Sequence, residues 1–103
     1  VALPNFLNQT GKARATEAQT KIAAALKQAG ADFHTSSSYA GMTAASLGLT
    51  NTTNFTFTCT PDATDPTTEI VCEGEGQSAA AGVDVTGTLT SSDGEVDWNI
   101  VTP

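Results

Sequence analysis

Beyond Lys27 this chain contains no lysine or arginine. Its four basic residues, Lys12, Arg14, Lys21 and Lys27, crowd into the first third, while residues 29–103 carry all of the eleven acids except Glu17. A surface so short of positive charge repels nucleic-acid phosphates and anionic membranes, so the acidic part is not expected to bind nucleic acid. Histidine is nearly absent as well. His34 stands alone in a Ser/Thr-rich stretch without a glycine-framed serine, which leaves little basis for nucleophilic catalysis. It is also far in sequence from Cys59 and Cys72, the only two cysteines, so no zinc set is expected. No run of about 20 apolar residues is present that could cross a bilayer. The absences point away from an enzyme, a resident cofactor or a metal centre.

What is present falls into two halves. The opening, Val1-Ala-Leu-Pro-Asn-Phe-Leu, has no capping residue before it and is apolar on every side of a helix. With Pro4 removing one backbone hydrogen bond, it reads as the end of a longer hydrophobic helix that begins before Val1. From Leu7 the pattern turns amphipathic, with Leu7, Gly11, Ala15, Ala18, Ile22, Ala25, Leu26 and Ala29 recurring at three- and four-residue steps. Small residues dominate this stripe and permit close approach of a sheet or another helix. Gly30 is expected to stop the helix in a left-handed conformation. Residues 31–53 lack a sustained period and predict a long loop, with one helical turn from Ala44 to Gly48 pinned by Leu47 and Leu49, and with Tyr39 and Met42 packed beneath it.

From Asn54 the period becomes two, and Phe55, Phe57 and Cys59 face one way. Pro61 has no N–H to give a ladder, so this strand is expected to end at Thr60. A turn-rich linker, Pro61 to Pro66, leads to a second strand from Glu69 to Glu73, and a flexible segment from Gly74 to Gly82 leads to a third. In that third strand Val83, Val85 and Leu89 share a face, and Gly87 marks either a weak point or close packing. Ser92-Asp93-Gly94 predicts a hairpin turn into a last strand that places Val96, Trp98 and Ile100 on one face. The expected architecture is α+β, a long N-terminal α-helix packed on a four-stranded antiparallel β-sheet. It forms a single domain, 1–103, divided into helix (1–29), loop (30–53) and sheet (54–103).

The acids offer one sharper reading. Asp62 with Asp65, Glu73 with Glu75, and Asp93 and Glu95 with Asp97 could supply oxygen ligands to calcium, yet none matches a helix-flanked calcium loop, and Asp93-Gly94 is already explained by turn geometry. No metal ligand is assigned.

Ala2-Leu-Pro-Asn-Phe-Leu-Asn-Gln, followed by Lys12-Ala-Arg-Ala-Thr-Glu-Ala-Gln-Thr, strongly resembles type IV pilins, in particular the branch common in cyanobacteria. In that family the leader-cleaved chain starts with a methylated Phe and a hydrophobic half-helix, a segment that would precede Val1. The resemblance implies that Pro4 is the helix-kinking proline near the end of that half. It also implies that Val1, Leu3, Pro4, Phe6 and Leu7 belong to the helix that assembles the filament, and that the fold is the pilin fold. The implied role is a non-enzymatic structural subunit of an extracellular, cell-surface pilus serving motility and adhesion, with DNA uptake as a further role. Its partners would be other pilin subunits and, before assembly, the pilus machinery at the inner membrane. A pseudopilin of type II secretion, a family in which calcium is used near the end of the sheet, and a minor pilin acting as an adhesive module share this layout. An exported domain with an even cysteine count usually pairs its cysteines, so a Cys59–Cys72 bond is expected, with two buried free thiols as the alternative.

Overall fold

The computed structural model describes the backbone of residues 2–102 and the side chains from residue 11 to residue 102. The first element, α1, is an α-helix over Ala2–Ser36. Four strands follow: β1 (Phe55–Pro61), β2 (Glu69–Gly76), β3 (Asp84–Thr90) and β4 (Val96–Val101), with a short 3₁₀ turn at Ser78–Ala80 between β2 and β3. They pair antiparallel in chain order, β1-β2-β3-β4. The expected α+β arrangement of one long helix on a four-stranded antiparallel sheet is therefore the arrangement found. Val1 lies outside the described residues, and so do the side chains of Leu3, Pro4, Phe6 and Leu7.

The narrow stripe on α1 is what joins helix to sheet. Ala15, Ala18, Ile22, Ala25, Leu26 and Ala29 are all buried, and they meet the inward face of β1, β2 and β3, where Phe55, Phe57, Ile70, Cys72, Val85 and Leu89 are buried in turn. The helix can lie this low because glycine replaces a side chain where it crosses β3. A Cβ on Gly87 would come within 2.9 Å of Leu26 and of Trp98 and 3.1 Å of Ile22. Of the two roles expected for Gly87, close packing is the one the fold uses.

Three expectations are corrected. The helix does not stop at Gly30 but runs to Ser36, where Ser37 takes the left-handed conformation at φ 58° and donates its N–H to Phe33 O at 2.7 Å. Gly30 lies inside the helix with room for a Cβ, whose nearest neighbour would be Leu89 at 3.7 Å, and continuing the helix sets Phe33 against the ring of Tyr39 at 4.5 Å between centroids. The loop accordingly begins at residue 37, and the helix gains Asp32.

The second correction is at Pro61, which belongs to β1. Gln77 donates its N–H to Asn54 O and Asp62 donates to Glu69 O, so the even-numbered residues of β1 face β2 and the odd-numbered ones point to the free edge. A proline at an odd position removes no ladder bond there. Third, β2 continues through Gly74 to Gly76 where a flexible segment was expected. Gly76 is needed because a Cβ would run into the carbonyl of Ala80 and come within 2.6 Å of Val83 O.

The loop from residue 37 covers the sheet end of the core. Tyr39, Leu47 and Leu49 are buried, and the helical turn expected at Ala44–Gly48 is present, with Leu47 donating its N–H to Thr43 O at 3.1 Å. Burial raises the Tyr39 phenol above its usual range. The loop also seals one edge of the sheet: Asn51 Oδ1 accepts the outward N–H of Phe57 at 2.8 Å, and Thr52 Oγ1 accepts that of Phe55 at 3.1 Å.

Candidate functional site

Charge is distributed by side, and the topology is what separates it. The stripe of α1 faces the sheet, so Lys12, Lys21 and Lys27 stand exposed on the helix layer, with Arg14 paired to Glu17 at 3.7 Å and Asp32 the other acid of the helix. On the strands, alternation sends every second residue to the opposite side of the molecule. That solvent face of the sheet carries Glu69, Glu73, Glu75, Asp84 and Asp97 among threonines, with no lysine, arginine or histidine. One flank of the domain is basic and the other acidic.

Cys59 and Cys72 sit directly opposite each other in the β1–β2 ladder, with Cα atoms 4.0 Å apart, and are joined by a disulfide. It lies on the helix-facing side of the sheet and ties the edge strand to its neighbour. The cysteines are thus brought together as expected, and free thiols are not the arrangement found.

The acidic turn between β1 and β2 is built by its own carboxylates. Asp62 accepts the N–H of Thr64 at 2.9 Å and the hydroxyl of Thr68 at 3.1 Å, and Asp65 accepts the hydroxyl and N–H of Thr67 at 2.6 and 3.1 Å. These bonds favour the charged forms and hold both carboxyls below the usual carboxylate range. Asp93 has the same role in the β3–β4 hairpin, accepting the N–H of Glu95 at 3.0 Å. Among the described residues no three or more His, Cys, Asp or Glu side chains gather as a metal-binding group. His34 occupies the last turn of α1 and not a loop, and is exposed there. No described helix is long and apolar enough to cross a membrane.

Sequence reasoning missed one feature. Because α1 crosses over β2 and β3, β4 is left beside it with an open groove of about 720 Å³, walled by Ala23, Leu26 and Ala31 of the helix and by Leu89, Val96 and Trp98 of the sheet. Beyond the groove, the end of β4 leaves Ile100 on the helix-facing side at 41% exposure and Val101 on the opposite face at 50%. The available signal was the last strand itself, which ends in two apolar residues without a lysine or proline inside it.

Compared with protein-family models, curated proteins and solved structures, the chain matches none.

Proposed function

We propose that this chain is the head region of a type IV pilin, a structural subunit of an extracellular filament that works by assembly and not by turnover. The observation that carries the reading is the opposition of the two faces. The helix layer bears all the lysines and is net basic, and the face of the sheet turned away from the helix bears acids and no base. Contacts between unlike faces of identical copies are heterologous, and a heterologous contact that does not close into a ring propagates as an open helical filament. Front-to-back stacking of copies would set basic helix against acidic sheet at every step, whereas face-to-face pairing would set like against like. Such contacts lie at the surface and would contribute orientation more than strength.

The strength would come from the hydrophobic half-helix that the resemblance at Ala2–Gln9 implies upstream of Val1. In this reading Val1, Leu3, Pro4, Phe6 and Leu7 make helix-to-helix contacts in the filament core, and Pro4 allows the helix to bend there. The partners are other copies of the chain and, before assembly, the pilus machinery at the inner membrane.

The test is the intact mass and N-terminal sequence of the protein isolated from its source cells. About 18 further apolar residues beginning with methylated Phe, long enough to anchor in a bilayer, are expected. A native start at or near Val1 would overturn the reading.

A further inference from the structure

The two edges of the sheet are treated differently. At β1 the outward N–H groups of Phe55 and Phe57 are taken by Thr52 and Asn51, and Pro61 ends the row without a donor. Among the described residues nothing comparable is present at β4. Thr90 donates its N–H to Glu95 O, so odd-numbered residues of this strand pair with β3 while Val96, Trp98 and Ile100 turn their N–H and C=O groups outward. Among the described residues none of these groups has a partner. An edge of this kind is a template for another strand unless a lysine, a proline, a bulge or a covering loop blocks it, and Val96–Val101 has neither lysine nor proline.

We infer that the β4 edge, together with the groove beneath α1, is a docking site for an extended peptide segment of another protein, one that alternates apolar and basic residues. A strand added about 4.8 Å beyond β4 directs every second side chain toward the helix side. There Trp98 and Val96 line the open, largely apolar groove, and Ile100, past its end on the same face of β4, is 41% exposed. The remaining side chains point to the other side of the sheet, beside Asp97 and the acidic face that continues through Asp84, Glu73 and Glu75. Lys27, which rims the groove on α1, disfavours a second positive charge on the helix side, so the basic residues belong on the acidic one. A second copy of this chain fits the same edge poorly. Antiparallel pairing of β4 with itself would join two acidic sheet faces, each carrying Asp97, with no base to offset them. The inference does not rest on the pilin reading, since every residue it uses lies in the folded domain.

The experiment uses a nine-residue synthetic peptide alternating lysine and valine, added to the unaltered protein at low salt. Trp98 is the only tryptophan and lies in the groove, so its fluorescence reports occupancy. Saturable binding with a blue shift is expected, together with at least tenfold slower amide exchange at Val96, Trp98 and Ile100 and no change at Phe55 or Phe57. A peptide with glutamate in place of lysine, and one N-methylated at its valines, should each bind at least tenfold more weakly. Ile100→Pro removes one outward donor without touching the β3–β4 ladder and should weaken binding by a similar factor. Absence of saturable binding, or binding that leaves those three amides exchanging freely, overturns the inference. So does equal binding of the N-methylated peptide. Protection of the same amides by self-association of the chain alone, seen as a dimer in sedimentation, would assign the edge to a second copy and overturn the occupant proposed here.

Discussion

Reducing the Cys59–Cys72 bond should lower the melting temperature by about 12 °C or more. The cysteines are 13 positions apart, and cross-linking a loop of that size removes denatured-state entropy worth about 3 kcal/mol at 25 °C. For a domain near 100 residues each kcal/mol corresponds to at least about 4 °C. Because this contribution acts through the unfolded chain, the reduced protein should keep its native circular dichroism and its Trp98 emission at 20 °C. The loss should also be uneven within the fold. β1 has one strand neighbour, so once the bond is cut it is held by a single ladder, by Phe55 and Phe57 in the core, and by the two side-chain caps from Asn51 and Thr52. Amide exchange should therefore accelerate in β1 before β3. The assay is a pair of thermal melts with and without a phosphine reductant, followed by exchange mapping. A shift below about 3 °C, or acceleration spread evenly over all four strands, would refute this account of the bond.

Gly76→Ala should destabilise the domain by at least the 1–3 kcal/mol typical of overpacking, read from urea unfolding, because the obstacles at that position are the backbone carbonyls of Ala80 and Val83. Leu26→Ala should cost about 2–5 kcal/mol in the same assay, since this fully buried side chain fills the space over Gly87. Acid should weaken the fold through Asp62 and Asp65. Both have folded pKa values below the unfolded value of about 3.9, so their contribution is complete above that pH and is lost as pH falls through the lower folded values. Melts between pH 7 and pH 2 should show a shallower acid decline in the Asp62→Asn, Asp65→Asn double variant, and an unchanged slope would count against the role given to these carboxylates.

The parts of the fold that were legible beforehand are those where a single periodicity governs a whole element. The stripe from Ala15 to Ala29 and the alternation through Phe55, Phe57 and Cys59 identified the buried faces that the structure has. The errors came from glycine and proline, whose backbone effect depends on surroundings that no local pattern carries. Gly30 had the look of a helix stop, but it keeps a helical conformation and the helix continues through it to Ser36. Pro61 looked like the end of a strand, and whether it ends one depends on which side of the strand is paired. Gly74 and Gly76 suggested flexibility where the sheet needs room for the Phe57 ring and for the Ala80 and Val83 carbonyls. Of the groove, only the apolar last strand beside it could be read. The groove itself arises from the path of α1 across β2 and β3, which is a property of packing between elements distant in sequence.

The simple strand order bears on how the molecule reaches this shape. Every strand pairs only with its neighbour along the chain, so the whole sheet can be built from three short-range hairpins. The helix is different: Ala18 meets Gly74, and Ile22 and Leu26 meet Gly87, across more than fifty intervening residues. Closing loops of that length is the entropically expensive step, and it is rewarded only once the sheet offers a formed surface. The topology thus predicts that the meander forms early and the helix docks late, so mutations in the stripe should act mainly on the last step of folding and on the rate at which the helix lets go.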